Sequence, residues 1–91
     1  MVLGCQLSFN RFGTLGKSPD DISSDGIYSI NNGSELGLPV DTGVLIQFSS
    51  DGGAGGKPKL QLVASYYQNN KTALRIKWGD AWSAWKTVSL L

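Results

Sequence analysis

The sequence contains no histidine and only one cysteine, Cys5, and these scarcities remove several kinds of chemistry. Zinc, copper and non-haem iron sites are usually built from histidine and cysteine, so one copy of the chain is not expected to assemble such a site. A Ser-His-Asp or Cys-His nucleophile also requires a histidine. A single cysteine cannot form an intramolecular disulfide, so the fold must hold without that cross-link.

Charge is scarce as well, because charged residues make up 16% of the chain against about 25% in typical globular domains. Eight basic and seven acidic residues leave a net charge of +1 and form no basic stripe, so the phosphate-contact term that drives nucleic-acid binding is missing. No apolar run approaches the roughly 20 residues of a membrane-spanning helix. We therefore expect neither a nucleic-acid partner nor insertion into a membrane.

The carboxylates and glycines that are present do not form a catalytic motif. A glycosidase needs two carboxylates that flank a cleft, whereas the aspartates of this chain lie in turn-like segments, where aspartate bonds to nearby backbone amides. The glycine-rich residues 51–57 do not match a phosphate loop, because Asp51 replaces the first glycine and Pro58 replaces the Ser or Thr after Lys57. We predict no catalytic residue, no metal ligand and no cofactor, and the chain is not expected to be an enzyme.

Short strand-like runs separated by turn residues dominate the sequence from Ile27 to the C-terminus, and no segment of ten or more residues carries a helical apolar stripe. The predicted strands are 27–30, 44–48, 59–67, 74–78 and 81–90, with a short helical turn within 21–25. These runs predict an all-β single domain, either a small antiparallel sandwich or a partly closed sheet. Residues 1–20 are interpreted as a lead-in segment and residues 21–91 as the β domain.

Alternation of side chains along a strand also predicts which of them face the core. The predicted core-facing residues of the last long strands are Leu60, Leu62, Ala64, Tyr66, Leu74, Ile76 and Trp78. Their neighbours Gln61, Tyr67 and Arg75 are predicted to face outward. If Trp78 lies in the core, its replacement by alanine should lower the free energy of unfolding by about 3–5 kcal/mol.

An aromatic cluster is the sharpest local signal, because Trp78, Trp82 and Trp85 lie within eight residues. A flat ring offers apolar area to the C–H side of a sugar, while amide and guanidinium groups can contact the hydroxyls. Trp82 and Trp85 are three residues apart, so a regular strand would direct them to opposite faces. The candidate ligand-binding residues are Trp82, Trp85, Tyr67, Arg75 and Gln61. The alternative is that the rings fill the core or a subunit interface.

Several motifs together resemble the knob domains of phage tail fibres and R-type pyocin fibres. They are GIYSI at 26–30, LPV at 38–40, GVLI at 43–46, a glutamine-bearing strand with Gln61, LRIKW at 74–78 and WSAW at 82–85. The closing Trp-Ser-x-Trp is the most specific of them, and the resemblance covers about residues 21–90. Two features depart from the pattern: the glycine-rich residues 52–56 are longer than it needs, and the segment before Asp20 has no counterpart.

The resemblance implies a β-rich homotrimeric domain near the distal tip of a virion or prophage-derived tail fibre, made in the bacterial cytoplasm. It also implies recognition of a host cell-surface glycan such as lipopolysaccharide. A structural knob that trimerises or spaces the fibre and has no ligand of its own is the alternative expectation. The family pattern concerns the scaffold and identifies no sugar-binding residue in this chain.

Overall fold

The computed structural model describes residues 10–50, 58–65 and 71–88, which form one seven-stranded sheet. The strands are β1 (Asn10–Thr14), β2 (Gly26–Asn31), β3 (Thr42–Ser49), β4 (Lys59–Ala64), β5 (Thr72–Trp78), β6 (Ala81–Trp82) and β7 (Lys86–Val88). They lie in the order β1-β2-β3-β4-β5-β6, and β7 also pairs with β5. β1 and β2 are parallel and every other pair is antiparallel. The all-β, single-domain prediction is confirmed, and the sheet is not closed into a barrel.

Two short 3-10 turns connect the first strands. Pro19–Asp21 forms the first one, where the Ser18 hydroxyl accepts a hydrogen bond from the Asp20 N–H at 3.2 Å. The sequence placed a turn within 21–25, and it lies earlier because the Ser18 cap and Pro19 start it. Gly33–Leu36 forms the second turn, which ends at Gly37 in the left-handed region at φ 83°.

The connecting segments cover one face of the sheet and leave the other open to solvent. We call the covered face the inner face. Its side chains pack against the connecting segments around Leu15, Ile22 and Val40. Cross-strand register aligns one inner row of mixed polarity, the polar row, which consists of Gly26, Gln47, Gln61 and Arg75. The next row along the strands is apolar and consists of Tyr28, Leu45, Val63 and Ala73. The core therefore lies between this apolar row and the connecting segments.

The opposite, outer face carries most of the apolar side chains that the sequence assigned to the core. Its apolar members that contact solvent are Ile27, Val44, Ile46, Phe48, Leu60, Leu62, Ala64, Leu74, Ile76, Trp78, Ala81 and Val88. The polar residues on the same face include Ser29, Asn31, Thr42 and Lys86. The predicted inward orientation of β4 and β5 is therefore wrong. The strands are correct, but a face assignment that is reversed exchanges every side chain between core and solvent. Ile76 and Trp78 are exposed, whereas Gln61 and Arg75 are buried.

Residues 10–20, which the sequence assigned to a lead-in segment, pack onto the sheet. β1 pairs with β2, and the Phe12 ring stacks on the Tyr28 ring with centroids 4.8 Å apart. β1 approaches β2 so closely that a Cβ at Gly26 would collide with the Asn10 carbonyl oxygen. Leu15 contributes to the core, and its N–H donates to the Ser29 carbonyl at 2.8 Å.

Candidate functional site

The WSAW segment forms a β-bulge beside β5. Lys77 opposes Trp82 while Leu74 opposes Lys86, so three steps along β5 correspond to four steps along the last segment. Ser83 stabilises the irregular backbone, since its hydroxyl accepts from the Ile76 N–H at 3.1 Å and its N–H donates to the Ile76 carbonyl at 2.8 Å. One extra residue in a strand shifts the alternation of every side chain that follows it. The predicted single strand 81–90 is therefore divided into β6 and β7.

The bulge directs both tryptophan rings of this segment toward one guanidinium group. The Cζ atom of Arg75 lies 4.0 Å from the centroid of the Trp82 ring and 4.8 Å from that of Trp85. A regular strand would have separated the two rings, so the prediction of opposite faces is wrong. Both rings are half-buried, and Trp85 packs against the edge of the core. Cation–π contact is worth up to about 2 kcal/mol when the guanidinium is desolvated.

Arg75 is held in place by two further contacts. Its Nε–H donates to Gln61 Oε1 at 2.9 Å, and its Nη2 donates to Asp20 Oδ1 at 2.7 Å. The arginine side chain is 8% exposed and the aspartate side chain is 60% exposed. The ion pair therefore extends from the inner face to the surface, where water screens it and reduces its contribution to about 1 kcal/mol or less.

The glutamines of the polar row connect Arg75 to the first 3-10 turn. Gln61 Nε2 donates to the Pro19 carbonyl and to Gln47 Oε1, each at 2.8 Å. Gln47 Nε2 donates to the Ile22 carbonyl at 3.3 Å. Both glutamines are fully buried, and burial of an amide is tolerated only when it is hydrogen-bonded. The row therefore fixes the connecting segment and Arg75 relative to one another.

Exposed and half-exposed polar groups surround the two rings. Lys77 Nζ lies 5.8 Å from the centroid of the Trp82 ring, and the exposed Asp20 carboxylate accepts a hydrogen bond from the Arg75 guanidinium. Among the described residues, none accepts a hydrogen bond from the buried Trp82 Nε1. The result is a partly open aromatic surface with charged groups of both signs at its rim.

The structure brings four of the five candidate residues together but changes their roles. Trp82 and Trp85 reach the surface, whereas Gln61 and Arg75 face inward and support the rings, so their predicted outward orientation is wrong. Tyr67 lies outside the described residues, as do Tyr66 and the glycine-rich residues 51–57. Sequence reasoning missed Gln47 and Asp20. The only sequence signal for them is a polar residue in an otherwise apolar strand and an acidic residue beside a proline.

The described residues show neither a metal site nor a membrane-spanning helix. They contain no group of three or more His, Cys, Asp or Glu residues arranged to hold a metal ion. Within the same ranges, no helix is long and apolar enough to cross a membrane. Comparison of the chain with protein-family models, curated proteins and solved structures finds no match.

Proposed function

We propose that this chain is a non-enzymatic recognition domain of a phage or prophage tail fibre, which binds a host cell-surface glycan, lipopolysaccharide included, and acts as a homotrimer. The observation that most supports glycan binding is the pair of Trp82 and Trp85, which Arg75 holds in one place at the surface. The tail-fibre context and the localisation to the virion rest on the sequence resemblance. The resemblance centres on the WSAW segment that builds this pair.

The arrangement suits a sugar better than it suits a charged or purely apolar ligand. Indole rings supply apolar area for C–H groups, and the Asp20 carboxylate and the Lys77 ammonium group can bond to hydroxyls. Because Arg75 already fixes both rings, little side-chain entropy remains to be lost when a ligand binds. The buried Gln61 contributes by holding Arg75 and has no route to the ligand.

The test is substitution of Trp82, since Trp85 also packs against the core. We expect Trp82→Ala to reduce binding to an array of bacterial surface polysaccharides and lipopolysaccharides by more than about tenfold, equivalent to roughly 1.4 kcal/mol. Trp82→Phe retains an aromatic face and should stay within a few-fold of the parent chain. Glu35→Ala, an exposed substitution in the second 3-10 turn, is the control and should bind normally.

Circular dichroism and a thermal melt on each variant separate lost binding from lost folding. We expect Trp82→Ala to remain folded, with a cost of about 1–2 kcal/mol for a half-buried ring and its cation–π contact. A folded Trp82→Ala variant that binds the array as the parent does would overturn the assignment of this site.

The second candidate function is a structural knob that only assembles or spaces the fibre. The exposed outer-face residues Ile76 and Trp78 favour it, because they offer a surface for protein contact. The two functions differ in one measurement: a structural knob forms the assembly but binds nothing on the glycan array. If the parent chain assembles but binds nothing on the array, the structural role replaces the proposal of glycan recognition.

A further inference from the structure

The polarity of part of the sheet, the polar row and the outer face across from it, is the reverse of what a solitary domain in water requires. An antiparallel sheet with one open face normally turns its apolar side chains inward and its polar ones outward. Here the inner face buries Gln47, Gln61 and Arg75, while Ile76 and Trp78 on the outer face are 49% and 56% exposed. The side chains of the polar row are hydrogen-bonded to one another and to the connecting segment, so the inner face is complete. The outer face is the one that requires a cover.

The apolar area of the outer face matches that of a protein interface. Val44, Phe48, Ile76 and Trp78 are 38–56% exposed, which at about 200 Å² for each large side chain leaves roughly 400 Å² open. The half-buried aliphatic residues of the same face add roughly 200 Å². The total of about 600 Å² is at the upper limit for the largest patch on a monomer and near the roughly 800 Å² that each partner contributes to a standard interface.

The chemistry of this face identifies its occupant. The centre of the face, from Val44 and Phe48 to Ile76 and Trp78, carries no charge; the polar residues Asn31 and Thr42 lie at strand ends, and the charged residue Lys86 lies on the short strand β7. The centre of the face therefore offers a charged ligand no group to pair with. A concavity of about 290 Å³, lined by Phe48, Pro58, Leu60 and Ile76 among others, can receive an apolar side chain. The matching surface must be uncharged and apolar, and a second copy of this chain supplies one.

We infer that copies of this chain associate through the outer face, with Val44, Ile76 and Trp78 buried between them. The number of copies, three, rests on the proposed function. A three-fold axis would direct the outer faces of three sheets toward one another. The tryptophan pair at Arg75 belongs to the inner face and stays outside this contact. Assembly and glycan recognition therefore use opposite sides of the sheet.

Sedimentation equilibrium of the 91-residue chain across a range of concentrations tests this interface. We expect a limiting mass three times the 9.7 kDa of one copy. Ile76→Lys should weaken association at least 100-fold, because it buries an unpaired charge in the contact. Ile76→Thr retains the β-branched shape that favours a strand and should weaken association about tenfold. Thr87→Lys adds the same charge to the exposed, other side of the sheet at β7 and should leave the mass unchanged.

Each outcome separates this inference from the proposed function. A parent chain that stays monomeric at every concentration, or a folded Ile76→Thr variant that assembles as the parent does, overturns the interface. A mass of two copies that Ile76→Lys abolishes supports the interface and overturns the homotrimer. Trp82→Ala should assemble normally whether or not it binds glycan, so failure of recognition leaves this test unaffected.

Discussion

Gln61 shows how much one buried side chain can connect. Its amide donates to the Pro19 carbonyl and to Gln47 Oε1 and accepts from Arg75 Nε, while the residue itself is fully buried. Each partner would keep an unmet hydrogen-bonding group if Gln61 were lost, and such a group costs about 1–3 kcal/mol when buried. Gln61 therefore stabilises both the first 3-10 turn and the arginine that supports the tryptophan pair.

Gln61→Leu should lower the free energy of unfolding by about 2–4 kcal/mol, although leucine is more apolar and fills a similar volume. Urea denaturation measures the loss directly. Thr87→Leu, at an exposed position on β7, is the matched control and should change stability by less than about 0.5 kcal/mol. A loss below about 1 kcal/mol for Gln61→Leu would mean that the polar row contributes little.

Tyr28 makes the stability of the fold sensitive to alkaline pH. Burial, with a further contribution from the negative charge of Asp25, raises the pKa of its phenol above the ordinary value of 10.0. Below pH 10 the phenol is protonated in both the folded and the unfolded chain, so its contribution to stability is fully present. Above pH 10 the unfolded chain loses the proton first, and the free energy of unfolding falls as the pH rises toward the folded pKa.

Tyr28→Phe should flatten this alkaline loss when urea denaturation is compared at pH 8 and above pH 10. The variant should also be about 1 kcal/mol less stable at pH 8, because the Tyr28 hydroxyl donates to the Ser24 carbonyl at 2.8 Å. Equal losses for the variant and the parent on raising the pH would contradict the assignment to Tyr28.

At the scale of one element, the bulge between β6 and β7 decides the geometry of the candidate site. The extra residue in WSAW restores Trp85 to the face that Trp82 occupies. If the same four residues paired regularly, with no bulge, continued alternation would direct Trp85 to the outer face. The Ser83 hydroxyl accepts the Ile76 N–H, so the irregular backbone leaves that donor satisfied. The motif therefore acts through backbone register as well as through its rings.

Deletion of Ala84 should leave the domain folded and change its stability by less than about 1 kcal/mol. The deletion removes the extra residue, so regular pairing would again place both tryptophans opposite inward-facing residues of β5. Near-ultraviolet circular dichroism and a thermal melt report the ring environment and the stability. Deletion of Leu74 from the regular part of β5 is the control, and it should unfold the chain because it reverses one half of a central strand. If loss of Ala84 is equally damaging, the bulge has another role.

At the scale of the whole molecule, the sheet carries the tryptophan pair, the proposed recognition site, on one side and an apolar face on the other. The single copy is complete on its inner face alone. A folded state that binds further copies gains stability with concentration by mass action. The melting temperature should therefore rise with protein concentration.

Trp78→Ala tests this description, because the ring is 56% exposed in one copy. In dilute protein the substitution should lower the free energy of unfolding by less than about 1 kcal/mol, in contrast to the 3–5 kcal/mol expected for a core position. In concentrated protein it should reduce the rise in melting temperature, since the ring belongs to the inferred contact. Thermal melts over a hundredfold concentration range measure both effects. A large loss of unfolding free energy in dilute protein would indicate that Trp78 lies in the core.

The sequence by itself determined the all-β class and the positions of β2 to β5, because β-branched and aromatic alternation and turn residues act over a few neighbouring positions. It did not determine β1 or the division between β6 and β7. It also located Gln61, Trp82 and Trp85, which meet at Arg75, although it did not determine their roles and did not identify Asp20. Alternation gives two faces but does not say which one is buried when both are apolar in part, as in LQLVA and ALRIK.

The tertiary structure decided that question through contacts distant in the sequence. The Pro19 and Ile22 carbonyls accept hydrogen bonds from Gln61 and Gln47, which makes burial of the polar row favourable and turns Ile76 and Trp78 outward. The register shift between Trp82 and Lys86 likewise exists only once β5 lies beside them. Both outcomes depend on which polar groups of the backbone and side chains find partners. Those partners lie up to 55 positions apart in the sequence, as in the Arg75–Asp20 ion pair.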